Sequence, residues 1–464
     1  MAGLSSILNT AKDALSVQSF GLNVTGQNIT NATTPGYVRR EAIIENRALG
    51  TQTTGSVVAL GIRRAADTYA DRAYYAANSD SSAASQYDSE LQSVESLFND
   101  LAETGLGDSL DAVFQSFEQL SARPNDKTVR TELLNKLDVF AGRVREVGDA
   151  IATQKTEMID RARSTTSVIN ERSAEIADLN RQIVLAKQAG SDASDLIDRR
   201  NTKLLSLSDL IDVQTIDADD GSVMVRSSGT ALIEGSQFRK LSIDVDDDGK
   251  LAIQATRAGG GEPSTDITRQ LSGGKLAGIK DARDGDLFEL SDRLDEFVFD
   301  VATAINTQHA AGVGLDGSTG RVLFDVSPTS DGAARSIYVS SDVIDNPDAI
   351  AAADTTNNLP GGSSNAVRLA ALASSAISGS QTPSQTYANI VGAIGTARAT
   401  ATANVELRKN IFSQAETFRE STSGVNLDEE MVNLTKYQRA YEAASKVITT
   451  VDELLQRLID TVGS

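Results

Sequence analysis

A chain of 464 residues is too long for one ordinary hydrophobic core, and two to four domains are expected. Its 43 basic and 64 acidic residues leave a net charge of −21. The basic residues come as isolated pairs (Arg39-Arg40, Arg63-Arg64, Arg199-Arg200) rather than as a stripe, which disfavours nucleic acid and anionic membranes as partners. With no cysteine, disulfides, thiolate metal sites and cysteine nucleophiles are excluded.

Hydrophobic residues make up 40% of the chain, but aromatics only 5% and proline only 7 residues, a mixture that favours long helices over a large β-sandwich. The N-terminus lacks a cationic segment followed by an unbroken apolar run, so no Sec signal peptide is expected. No apolar run approaches the roughly 18 residues of a membrane helix, and no membrane insertion is expected.

In the first thirty residues Leu8, Leu15, Leu22 and Ile29 recur every seventh position, with Leu4 and Ala11 starting a partner stripe. This amphipathic helix must stop at Thr34-Pro35-Gly36-Tyr37. Proline fixes its own φ, pushes Thr34 towards extended backbone, and Gly36 supplies the positive φ of a type II turn. Residues 65–98 and 109–120 read as helices, followed by a very long one. Its stripe (Leu133, Leu137, Phe140, Val144, Ile151, Met158) drifts after Ser164 to Ile169, Ile176 and Ile183. Another helix spans Asp195 to Leu210.

From Ile211 the period changes to two, with Asp/Gly turns between short strands, and residues 211–272 read as a β insert. Helix returns from Asp281 to His309. Strands are expected at 321–326 and 336–340, a loop at 359–365, and helices from Ala366 and Tyr387. At the far end Leu427, Leu434, Tyr441, Ile448, Leu455 and Val462 keep a seven-residue spacing, while Tyr437, Ala444, Val451 and Leu458 fill the complementary position. Asn426 is placed to cap this helix, with Glu429 three residues on as in a capping box. Two readings of the ends stay open: the terminal helices pair inside one chain, or they join a coiled-coil layer shared by many copies.

The expected fold is mainly α with an inserted β domain: terminal coiled-coil-like helices, an elongated antiparallel helical bundle and a small β domain. The divisions are 1–40 with 421–464 for the terminal helices, 41–210 with 273–309 and 356–420 for the bundle, 211–272 for the β insert, and 310–355 as a mixed segment.

Chemistry-bearing motifs are weak. Asp244-Val-Asp246-Asp-Asp248-Gly249 opens like a calcium loop, but its twelfth position is Ala255 and strands flank it, so it reads as a hairpin turn. Gly312-Val-Gly314-Leu-Asp-Gly317 fits a dinucleotide fingerprint only by spelling, because a helix precedes it and a strand follows. His309, the only histidine, reads as a polar residue in the last turn of a helix. No catalytic, cofactor or metal site is expected, and an enzyme is the remote alternative.

The segment from Asn31 through Thr34, Pro35, Gly36 and Tyr37, after an amphipathic N-terminal helix, resembles the ANxxTPGY signature of the bacterial flagellar axial family. The stretch SGVNLDEEMVNLTKYQRAYEAASKVITTVDELLQRLI resembles that family's C-terminal signature. Three internal stretches resemble the hook-associated protein 1 branch: EIADLNRQIVLAKQAGSDASDLIDRRNTKLLSLSDLIDV, GGKLAGIKDARD and INTQHAAGVGLDGSTGRVLFDV. The resemblance implies a structural subunit at the hook–filament junction, exported without a Sec signal through the flagellum's own type III channel to an extracellular position. It implies self-assembly into a ring, with hook protein below, a second junction protein or flagellin above, and an export chaperone on the C-terminal helix. The terminal segments are expected to order on assembly, through burial of Leu8, Leu15, Leu22 and Ile29 against Leu434, Tyr441, Ile448 and Leu455. A hook or distal-rod subunit is the alternative.

Overall fold

The structure, a computed structural model, describes residues 2–47, 56–98, 105–260 and 263–462. Parts of the expected bundle (48–55 and 99–104) and of the expected β insert (261–262) lie outside the described residues.

Helix α1 (Ala2–Asn31) opens the chain and is followed by strands β1 (Arg40–Arg47) and β2 (Ser56–Arg64), an antiparallel hairpin lying along α1. This corrects the expectation that residue 41 onward belongs to the helical bundle. A bulge between Ile43 and Ile44 puts two large apolar residues side by side in β1 and erases the alternation that marks a strand.

The body begins with α2 (Thr68–Ser96), α3 (Leu106–Ala122), α4 (Lys127–Gln188) and α5 (Ser194–Ser208). Asp67 caps α2 through the Tyr69 and Ala70 N–H groups, and Asp126 caps α4 through that of Thr128. Helix α4 runs about 93 Å at about 1.5 Å per residue and carries one side of the core over most of that length. Its buried residues follow steps of three and four, and at Gln154–Met158–Ala162–Thr166 three successive steps of four shift the phase. That is the drift read from the sequence. The stripe does not break there; it passes through small residues.

Strands β3 (Gln214–Asp217), β4 (Val223–Ser227), β5 (Thr230–Glu234), β6 (Gln237–Val245), β7 (Leu251–Arg257) and β8 (Thr265–Asp266) form a six-stranded antiparallel meander in chain order, so the β insert is present. Its apolar face (Val225, Ile233, Leu241, Ile243, Leu251, Ile253) is buried, and β5 and β6 lie against α4. Two α4 asparagines fasten it by imitating a strand edge. Asn170 donates to the Leu241 carbonyl (2.9 Å) and accepts from its N–H (2.7 Å). Asn180 donates to the carbonyls of Val223 (2.8 Å) and Gly235 (2.9 Å) and accepts from the Val223 N–H (3.1 Å). The aspartate-rich segment between β6 and β7 is a hairpin turn closed on Asp246, as the sequence indicated.

The returning helix starts earlier than Asp281. Helix α6 (Gly274–Asp281) passes through a π-helical turn at Ala282–Leu287 into α7 (Phe288–Ala310). A β-carbon on Gly278 would lie 2.5 Å from the Ala83 carbonyl oxygen, so glycine here permits α6 to press onto α2.

In 310–355 the expected strands shrink to β9 (Phe324–Asp325) and β10 (Tyr338–Val339), with the short helix α8 (Ala333–Ser336) before β10. Asn306 on α7 takes the Leu323 and Phe324 N–H groups and the Phe324 carbonyl, so β9 pairs with a side chain on one edge. The Asp295 carboxylate accepts from the Gly332 and Ala334 N–H groups and holds the start of α8 helical. His309 is buried: Nε2 accepts from the Ala351 N–H (2.8 Å), leaving the proton on Nδ1, which faces the Arg321 carbonyl (2.7 Å). The last-turn placement expected for His309 holds, but its work is to pin the segment around Ala351, together with Arg130, which donates to the Pro347 and Ile350 carbonyls.

Helices α9 (Ser364–Ala371) and α10 (Pro383–Ser423) follow, the latter with Pro383 in its first turn and a Thr382/Gln385 capping box. Helix α10 runs antiparallel along α2, with ion pairs Arg398–Asp88, Arg408–Asp80 and Arg419–Asp71 and stacked rings of Tyr74 and Phe412. Helix α11 (Leu427–Val462) then pairs with α1, which brings the two ends of the chain together.

Candidate assembly site

Two features could serve assembly: the paired terminal helices, and the joint that fastens them to the body. At the joint α1 ends in consecutive turns, Thr34 N–H to the Asn31 carbonyl (2.9 Å) and Tyr37 N–H to that of Thr34 (3.1 Å). Gly36 has φ +81, the left-handed value that a type II turn requires. The turn folds back on its own helix. The Tyr37 hydroxyl donates to Asn28 Oδ1 (2.9 Å), and the Asn28 amide bonds to the Arg40 carbonyl and N–H, again imitating a strand edge. Burial raises the Tyr37 phenol above its ordinary range, although Arg40, whose guanidinium lies over the ring, pulls the other way.

The same turn touches α5. A β-carbon on Gly36 would sit 2.3 Å from Thr202 Oγ1, so only glycine lets the backbone approach this closely. Beside it Arg40 reaches Asp195 (2.5 Å) and Asp198 (3.2 Å), and Arg64 meets Asp198 through Nε (3.0 Å) and Nη2 (2.6 Å). Arg40 and Arg64 are register partners in the hairpin, so both guanidiniums leave the ribbon at one place. The Arg39 N–H donates to the Ser423 carbonyl, and its side chain pairs with Glu429 (2.9 Å). Asn426 caps α11 as expected, through the Asp428 and Glu429 N–H groups. Glu429 turns to Arg39 instead of completing a capping box. An open cleft of about 530 Å³ lies between the Ala32–Tyr37 turn and the turn joining α10 to α11.

Of the motif residues, Gly36 and Tyr37 are at the joint. Asn31 and Thr34 hold the turn, and Pro35 is exposed. Along the helical pair Leu8, Leu15, Leu22, Ile29, Leu434, Ile448 and Leu455 are only half-buried, while Leu427 and Tyr441 stay 50% and 41% exposed. The seam between the helices and hairpin closes instead on Ala11, Val17, Val24 and Val451, with the Tyr437 ring on Gly21. The stripe on α11 is wider than α1 can cover. Met431 and Tyr441 emerge on one shoulder, Val447, Leu454 and Leu458 on the other. Sequence reasoning missed Asn28, Arg64, Asp195, Asp198 and Thr202. The arginine pairs were visible, but nothing in the sequence assigned them partners on α5.

Termini that converge on one helical pair, joined through a tight turn to a long helical body bearing a β insert, define an elongated structural subunit that leaves large apolar side chains exposed along α11. Among the described residues no group of three His, Asp or Glu could hold a metal ion, and no helix is long and apolar enough to cross a membrane. The family model of the flagellar hook-associated protein FlgK helical domain matches residues 91–324, half the chain, and that of the flagellar basal body rod FlgEFG protein C-terminal matches 419–461. The chain belongs to the FlgK family of flagellar hook-associated proteins and is a structural component of the bacterial flagellum. It is 26% identical over 501 aligned positions to flagellar hook-associated protein 1 of Bacillus subtilis (strain 168), covering 98% of each chain. It is 23% identical over 555 positions to that of Salmonella typhimurium, covering 98% of this chain and all of the relative. In fold it is similar to the flagellar hook junction protein FlgK from Burkholderia pseudomallei, with a TM-score of 0.67 at 16% identity, over 75% of this chain and 99% of that one.

Proposed function

We propose that this chain forms the junction between hook and filament, assembling into a ring through α1 and α11, with hook protein below and a second junction protein or flagellin above. The observation that carries the reading is the apolar surface left on both shoulders of α11 once α1 is paired. Large side chains about half exposed gain roughly 1 kcal/mol each when a neighbouring copy covers them, at about 25 cal/mol per Å². A face repeated on every copy then adds up to a stable assembly. Opposite shoulders of one helix suit the heterologous contacts that close a ring.

The subunit reaches this extracellular position through the flagellum's own export channel, without a Sec signal, and the same apolar stripe on α11 is the surface an export chaperone would cover. Its role is structural and calls for no catalysis. The match of residues 419–461 to rod proteins supports a hook or distal-rod role for the ends alone, whereas the body matches the hook-associated branch. Electron microscopy of cells lacking the chain, with a blot of the medium for flagellin, tests the assignment. Hooks of normal length without filaments and flagellin in the medium are expected. Missing hooks would make it a hook or rod component.

A further inference from the structure

The terminal unit (α1, the hairpin and α11) packs on itself, and among the described residues no helix or strand of it lies along an element of the body. The chain crosses between the two parts at residues 65–67 and 424–426. Besides the approach of Gly36 to Thr202 and the Arg39 N–H bond to the Ser423 carbonyl at the end of α10, the side chain that holds them at a fixed angle is one carboxylate, Asp198 on α5. It faces two arginines from the two strands of the hairpin. Side-chain exposures of 11% for Asp198, 7% for Arg40 and 14% for Arg64 place this cluster out of water. Asp195, the second partner of Arg40, is 84% exposed and adds little hold. On the side of the turn facing the end of α10 lies the open cleft of about 530 Å³, so the terminal unit has space to move into.

We infer that Asp198 is a latch that sets the angle between the terminal helical pair and the body, and that releasing it lets the pair swing as a unit about the joint. Removing the charge of Asp198 leaves Arg64 buried without its counter-ion, and burying an unpaired guanidinium costs more than turning it out to solvent. Among the described residues the body's apolar core takes in no side chain of the terminal unit, so the hairpin moves away from α5 and carries α1 and α11 with it. The contacts inside the terminal unit (Asn28 with Arg40, Tyr437 with Gly21) do not depend on Asp198 and persist.

The test uses the full chain, which has no native cysteine to interfere. Spin labels at Val139→Cys on α4 and Glu442→Cys on α11 report the angle by pulsed dipolar spectroscopy. A second pair, Ser19→Cys and Glu442→Cys, reports the terminal unit itself. The parent chain is expected to give one narrow distance for each pair. Asp198→Asn should at least double the width of the first distribution and leave the second unchanged, and Asp198→Glu should restore a narrow first distribution. If Asp198→Asn fails to fold, Arg64→Gln carries the same expectation. An unchanged first distribution in the folded variant would overturn the latch, as would a broad first distribution in the parent.

Discussion

Replacing Gly36 by alanine tests whether the turn is a docking surface rather than a mere helix stop. Alanine at φ +81 pays the left-handed penalty, roughly 1–2 kcal/mol. Its β-carbon must also clear Thr202 Oγ1, 2.3 Å from the ideal position, so Thr202 has to rotate and give up its bond to the Asp198 carbonyl (3.1 Å), about 1 kcal/mol more. The sum is about 2–3 kcal/mol, confined to the joint because the body's core does not include it. Local opening is therefore the right readout. Amide exchange at Tyr37, Arg39 and Arg40, whose N–H groups are bonded within the joint, should accelerate about a hundredfold, while α4 amides hold their rates. Thr202→Ala removes the collision but not the φ penalty, so in that background Gly36→Ala should lose only about 1–2 kcal/mol. Equal losses in both backgrounds would refute the claim that Gly36 is required by its approach to α5.

Burial holds the His309 imidazole down to about 4, with the Arg130 guanidinium adding to the effect. The unfolded chain takes its proton near pH 6.5, so the contribution is complete above that value and is lost as pH falls towards 4, about 3 kcal/mol in all. Urea unfolding of the parent should therefore lose more stability than His309→Gln between pH 6.5 and 4.5, and the single imidazole resonance should titrate near 4; a midpoint near 6.5 would contradict the buried geometry. On the exposed shoulder Leu454→Lys should change the stability of the isolated chain by less than about 0.5 kcal/mol yet abolish filament attachment in cells, and normal attachment would remove that face from the assembly. Asn180→Ala strips Val223 at the start of β4 of two bonds and Gly235, in the turn before β6, of one, all at a fully buried side chain, and should cost about 3 kcal/mol in urea unfolding, whereas a loss under 0.5 kcal/mol would mean water replaces the amide.

The helices were legible because their signals are local. Asn426 marks the start of α11 by its capping chemistry, and the α4 core recurs every three or four residues; Asp67, Asp126 and Thr382 are caps that the structure adds. The β insert announced itself by Asp/Gly turns at short intervals. The hairpin at 40–64 did not, because its bulge breaks the alternation that marks a strand. The site was half legible. The turn stood out by its Pro-Gly pair, but what it docks against is a contact of α5 more than 150 residues away, and an ion cluster at that separation leaves no periodic trace. Asn28, Asn170, Asn180 and Asn306 were invisible for a related reason. An asparagine on a helix reads as a surface residue until a strand is known to pass beside it. The heptads marked both ends as amphipathic helices but left open whether they pair within one chain, and they did not give the seam, since α11 carries more apolar surface than one partner buries.

Immunogold electron microscopy of intact flagella, with antibody raised against residues 211–272, tests most directly whether this chain sits between hook and filament. A single narrow band of gold where the hook meets the filament is the predicted result. Gold spread along the hook, or confined to the rod, would contradict it.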